Sequence, residues 1–300
     1  MIFGLVAIVL FFSGSVAMVA EKVLPESPLY KVKVHFNENL QSALSFSNES
    51  KARLDAKLIE ERLAVAAQLA VQHKLTSDMS EKLEEHVALL GEDFKKRMEV
   101  VSESSLATSA QVYADFSSSL KAHSEVLMHI ERVGSSDGAA SLNDLLAKVN
   151  TLRVEISERR VEVEKKLAKK LESPEMEKVV EARMLVLEAR LSEAETAFAT
   201  SDELLTPELR NETEENLKKA QVSLRAGKAL MEAGALVDAY SKFQNASSVA
   251  QEIIVAMHEY ATLEELVSVL RPSVSSSTTT ETMSSNGSGL MLSTSLRLDF

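Results

Sequence analysis

Between Ser77 and Val133 no proline interrupts the chain. Apolar residues recur there at multiples of three or four: Met79, Leu83, Val87, Leu90, Phe94, Met98, Val101, Val112, Phe116, Leu120, Leu127 and Ile130. This spacing draws one aliphatic stripe along a helix face. A stripe of this length is buried by packing helix on helix. A continuous helix would extend roughly 85 Å at 1.5 Å per residue. Its weakest stretch is the Ser-rich middle, Ser102 to Ser109, where it could bend or break.

The same pattern fills most of the remaining chain. Asn48 offers a cap for a helix carrying Leu54, Leu58, Val65 and Leu69, with a break near Thr76 and Ser77. Gly134 to Gly138 (GSSDG) reads as a turn, and Ser141 with Asp144 resembles a capping box. Leu142, Leu145, Val149, Leu152, Ile156 and Val163 then follow a mostly heptad spacing. Ser173-Pro174 marks a new start or a kink, before a helix with Met176, Val180, Met184, Leu187, Leu191, Ala194 and Phe198. Thr206-Pro207 is a cap followed by a proline at the first helical position. Gly234 ends that helix, and the last one stops before Pro272. Lys51–Ala70 and Glu181–Ala199 are alike, which suggests a weak internal repeat. With 5 Pro, 9 Gly, no Trp and 5% aromatics, the expected fold is all-α: long antiparallel helices in an elongated, coiled-coil-like bundle.

Both ends differ from this middle. Ile2 to Phe12 is an unbroken apolar run, followed by small residues with Ser15 and Ala17 at the spacing of a signal-peptide cleavage site. Residues 1–20 are therefore expected to be a signal peptide or, read through Ala20, a retained membrane anchor. Lys22, Lys31 and Lys33 follow the run and no basic residue precedes it, which alone would favour the opposite topology. An upstream start supplying basic residues would reconcile the two. Pro28 to about Phe46 is expected to form a first helix. Residues 272–300 are mostly Ser and Thr and are expected to be disordered. Their end alternates, Leu292, Thr294, Leu296, Leu298 and Phe300, as a strand donated to a partner would. The expected division is 1–20, helical hairpins with one very long helix over 24–133, a helical bundle over 141–271, and the tail 272–300.

The chemistry is sparse. A formal charge of −12 argues against nucleic acid as a partner. With no Cys there is no disulfide, thiolate ligand or Cys nucleophile. His35, His73, His86, His123, His129 and His258 form neither an HExxH nor paired Glu-x-x-His motifs, and Glu125 with His129 makes only a two-residue clamp. His123 falls in phase with Phe116, Leu120 and Leu127, as a hydrogen-bonded seam residue would. Glu60–Glu61 and Glu84–Glu85 read as solvated faces. Arg159, Arg160, Lys165, Lys166, Lys169 and Lys170 form the one basic cluster, diluted by Glu158, Glu162 and Glu164. No catalytic, cofactor-binding or metal-binding residue is assigned, and no cofactor is expected.

Leu24, Pro25, Ser27, Pro28, Tyr30 and Lys33, followed by Arg62 and Leu63 in a small-residue helix, make an L-P-x-S-P-x-Y-x-x-K segment leading into helical hairpins. Over about Val23 to Leu90 the chain resembles an uncharacterised family of exported bacterial proteins. The family's usual turn Gly after the second helix is replaced by Gln72, His73 and Lys74. The resemblance implies export and helical hairpins, and carries no activity. Ala229 to Ala250 is similar to half of a tetratricopeptide-type hairpin, a pattern that ordinary antiparallel helix pairs share.

The expected function is a noncatalytic extracytoplasmic scaffold or protein-interaction module in the cell envelope, periplasmic or extracellular. The alternative is a membrane-anchored sensory module using residues 2–20 as its anchor. Heptad-like seams can be satisfied within one chain or between copies, so a homo-oligomer is compatible with the pattern.

Overall fold

The computed structural model describes residues 47–133, 136–171, 177–201 and 205–270. The apolar N-terminus, the helix expected over Pro28 to Phe46, the L-P-x-S-P segment and the Ser/Thr-rich tail lie outside the described residues. Those described form seven helices and no strand: α1 (Asn48–Val71), α2 (Ser77–Ser104), α3 (Leu106–Val133), α4 (Ser136–Leu171), α5 (Glu177–Ser201), α6 (Pro207–Glu232) and α7 (Leu236–Leu270). Among the described residues no helix is long and apolar enough to cross a membrane.

Side-chain caps set several boundaries. Oγ of Ser47, one residue before the expected cap Asn48, accepts the Ser50 N–H at 3.1 Å. Thr76 Oγ1 accepts the Met79 N–H at 3.3 Å, and Thr206 Oγ1 that of Leu209 at 3.2 Å with Pro207 at the start of α6. Two helix ends use a left-handed residue. Gly234 (φ +77°) closes α6, its N–H donating to Met231 O while Ala235 N–H reaches Leu230 O. His73 (φ +56°) plays the same part after α1, with Lys74 N–H donating to Leu69 O at 2.9 Å. A side chain there carries the steric cost that Gly escapes.

The very long helix over 77–133 is not formed. Ser105 is extended (φ −152°, ψ 103°), and α3 folds back along α2 after this one residue. Serine chemistry makes the reversal. Ser105 N–H donates to Val101 O at 2.8 Å, its Oγ accepts the Thr108 N–H, and Ser102 Oγ meets Ser109 Oγ at 2.6 Å across the two helices. The stripe then packs on itself: Phe94 lies 4.6 Å from Phe116 and edge-on to Tyr113 at 5.8 Å between ring centroids. A second boundary also moves. α4 begins at Ser136, so Ser141 lies within it, and Ala139-Ala140 supply strong helix propensity where a start had been expected.

Contacts between named residues give the directions. Asp55 faces Arg97, so α1 and α2 are antiparallel. Arg53 reaches Asp115, His123 reaches Glu259, and Arg190 reaches Ser247. Glu195 and Glu188 on α5 meet Gln221 and Lys228 on α6. Thus α1, α3, α5 and α7 run one way and α2, α4 and α6 the other. The helices α3 and α7 are central: α3 packs against α1, α2, α4 and α7, and α7 against α5, α6 and α3. One continuous apolar core draws on all seven, with Phe94, Phe116, Leu120, Leu127, Leu145, Ile156 and Phe243 fully enclosed. Each such side chain contributes roughly 1.5–3 kcal/mol. The heptad-spaced residues of α4 are all buried. The two alike segments become α1 and α5, each opening a run of three antiparallel helices.

Candidate functional site

The unusual feature of this core is its polar content. Two clusters lie along the faces that the co-directional helices α1, α3, α5 and α7 turn to one another.

The first centres on Asp115. Arg190 Nη1 donates to Asp115 Oδ1 at 2.7 Å and to Ser247 Oγ at 2.9 Å. Arg53 Nη1 lies 3.8 Å from Asp115 Oδ2, and its Nε donates to Glu49 at 3.0 Å. Burial alone would raise the Asp115 pKa. The charge and hydrogen bond of Arg190, with Arg183 and Arg53 nearby, instead hold it below the usual carboxylate range. Arg183 is 4% exposed, and among the described residues none of its three guanidinium nitrogens has a hydrogen-bond partner. Burial, then the like charge of Arg190, pulls its pKa down to about 10. Tyr240 and Arg160 also face it electrostatically, and Arg160 Nε donates to Glu164 at 2.8 Å.

The second cluster joins α1, α3 and α7. His123 Nδ1 and Glu259 Oε1 are 2.6 Å apart in the interior. Burial pulls the His123 pKa down, but the Glu259 carboxylate, its hydrogen bond and the charge of Glu60 outweigh it, and the net shift is upward. Nδ1–H donates to the carboxylate of Glu259, which can only accept. Glu60 is pushed up by burial, against His123 and a hydrogen bond from Ser119. Nearby, Lys121 pairs with Glu252 across α3 and α7.

His123 thus occupies the seam its phase suggested. Glu60 does not sit on a solvated face: it shares its helix side with Ile59 and Leu63 and turns toward His123. In α5 the buried stripe runs Val180, Arg183, Leu187 and Leu191, with Arg183 enclosed and the expected Met184 partly buried against the core beside it. The signal was present in the sequence, since Arg53 and Arg183 hold equivalent places in the alike segments KAR and EAR. Glu125 pairs with Lys121 on the same helix. Among the described residues no three His, Asp or Glu converge as a metal site would require. The basic run divides: Arg160 turns inward, while Arg159 and Lys166 stay at the surface.

A shallow surface groove lies between α2 and α4. One recess of about 310 Å³ has Leu106, Tyr113 and Val163 at its floor and Lys95, Glu99, Glu103, Arg159, Glu162 and Lys166 around it. Lys95 bridges the helices, with Nζ 2.7 Å from both Glu92 and Glu155.

No curated protein and no solved structure matches the chain. Residues 22–135, from before α1 to just past the end of α3, match the model of a family described as a domain of unknown function (DUF5667). It is to this uncharacterised family that the first three helices and the segment before them are similar.

Proposed function

We propose that the chain is a noncatalytic helical scaffold that acts outside the cytoplasm and holds a protein partner along the α2–α4 groove. The observation that carries this reading is the groove's composition. An apolar floor from Leu106, Tyr113 and Val163 is rimmed by charges of both signs, Lys95, Arg159 and Lys166 against Glu99, Glu103 and Glu162. An apolar strip between mixed charges suits the amphipathic face of a partner helix, in which apolar anchors give affinity and the rim sets register. Val100 on α2 and Val154 and Val161 on α4 are exposed large apolar residues on the same two helices. Cross-helix pairs such as Asp55–Arg97, Asp115–Arg190 and His123–Glu259 engage ionisable side chains of the core, which supports a structural part for them. The apolar run of residues 2–12 and the small residues after it support export.

The test is co-purification from the cell envelope under mild crosslinking, comparing the wild type with a Lys166→Glu, Arg159→Glu double variant. Both residues are more than half exposed, so the fold should survive. The double variant is expected to lose the crosslinked partner. Equal recovery by both proteins would refute the groove, and a turnover number for the purified chain would refute the noncatalytic reading.

A further inference from the structure

The helix α4 has two apolar stripes. The heptad-spaced residues from Leu142 to Val163 turn inward and are consumed within the chain. A second series stands on the opposite side of the same helix: Ala147, Val154, Val161 and Ala168, each seven residues from the next. Val154 is 51% exposed and Val161 44%, and Ala147 is exposed as well. Scattered exposed valines need no explanation, but a line of them at heptad spacing is the pattern by which one helix packs on another. The groove toward α2 lies on the flank of α4, lined by Arg159, Glu162 and Lys166, so this outer ridge is a separate surface.

The ridge carries two charges, Glu158 and Lys165, which bracket Val161 and are both exposed. Among the described residues neither forms an ion pair, although the charges around them do: Glu162 holds Arg159 and Lys166, and Glu164 holds Arg160. Two turns of helix, about 10 Å, separate Glu158 from Lys165, so they cannot pair within one helix. We propose that α4 packs antiparallel on α4 of a second copy of this chain, about a two-fold axis at Val161. In this register Val161 meets its own counterpart and Val154 meets the partner's Ala168. Glu158 faces the partner's Lys165, and Lys165 faces the partner's Glu158. A two-fold contact has this self-complementary form: where residue i faces j, j faces i. Parallel pairing sets Glu158 on Glu158 and Lys165 on Lys165, so charge selects the antiparallel arrangement. The paired stretch from Val154 to Ala168 is short, about 21 Å of helix, and the dimer is therefore a weak one that forms and parts with concentration.

Sedimentation equilibrium of the full chain over a concentration series tests this. The wild type is expected to dimerise reversibly. Glu158→Lys and Lys165→Glu are each expected to weaken the dimer roughly tenfold or more, because a single reversal turns two attractive pairs repulsive. The two together are expected to restore it, since the exchange rebuilds both pairs. Both side chains are exposed, so the fold should survive, with circular dichroism as the check. A chain that stays monomeric throughout overturns the proposal and leaves the ridge to a different protein. Self-association that neither single variant weakens overturns it too, as does a double variant no stronger than the singles. Register is read by disulfide capture, for which the chain offers no native Cys as background. Val161→Cys is expected to give a covalent dimer on mild oxidation. Val154→Cys is not, because the two copies of that position stand about 20 Å apart along the helix axis. Capture at 154 in preference to 161 refutes the antiparallel register. Arg159 and Lys166 stay in place in these variants, so loss of the dimer and loss of a groove partner are separate results.

Discussion

Gly227 and Gly91 look alike in sequence, each a lone glycine inside a helix, yet alanine should act oppositely at the two. In an exposed helix interior, Gly→Ala stabilises by about 1 kcal/mol through propensity. At Gly227 on α6 an added Cβ would meet the ring of Phe243, 2.7 Å from Cδ1 and 3.0 Å from Cζ, with Cε1 nearer still. Carbon atoms pack best at about 3.5–4.0 Å. Phe243 is fully buried, so its ring cannot yield without displacing its own neighbours or moving α6 away from α7. Overpacking of this kind costs about 1–3 kcal/mol, and more where backbone must shift. The approach is close enough to place the cost at the upper end. After the propensity gain, Gly227→Ala is expected to destabilise by about 2 kcal/mol. At Gly91 on α2 the new Cβ would lie 3.0 Å from Leu152 Cδ1, the mobile tip of a flexible side chain. Leucine can rotate by the few tenths of an ångström needed, so Gly91→Ala is expected to fall between neutral and about 1 kcal/mol stabilising. Urea unfolding followed by circular dichroism at 222 nm measures both. A Gly227→Ala protein with an unchanged m-value and a midpoint at or above wild type would refute the α6–α7 packing.

Asp115→Ala strands Arg190, Arg53 and Arg183 against one another and should cost about 3–5 kcal/mol. Lys218→Ala, which removes an exposed pair with Glu214, should stay within about 0.5 kcal/mol in the same urea experiment. Burial pushes Asp55 from 3.8 up to about 6, against Arg97. Its folded form therefore holds the proton more tightly, and its contribution is present below pH 4 and lost as pH rises through 6. The stability difference between wild type and Asp55→Asn should shift by roughly 2 kcal/mol in the variant's favour between pH 4 and 7; parallel pH curves would contradict this.

The helices were legible because their signals are local. Thr76, Thr206-Pro207 and Gly234 act within a few residues, and the caps and turn form where those residues stand. The Ser105 reversal was visible only as a weakness. Serine hydroxyls can bend a helix or end it, and what decides is whether Phe94 finds Phe116 on the returning strand of chain, a contact between distant stripes. The polar interior was harder still. Glu60 and Arg183 are charged residues, and solvation is the ordinary fate of both types. Their burial follows from α7 arriving against α1, α3 and α5, which no local window contains. His123 was foreseeable because α3 is apolar on the same phase, so a polar residue there had to find a partner inside.

A turn of one residue has no slack. With Ser105 alone between them, α2 and α3 are fixed lengthwise by covalent geometry as well as by packing. Anything that slid α2 along α4 at the outer groove would have to drag α3 with it. Asp115 and His123 ride on α3, so their links to α5 and α7 would be the first to stretch. Surface and interior are thereby geared together, and strain applied at one would register in the other without any loop to absorb it.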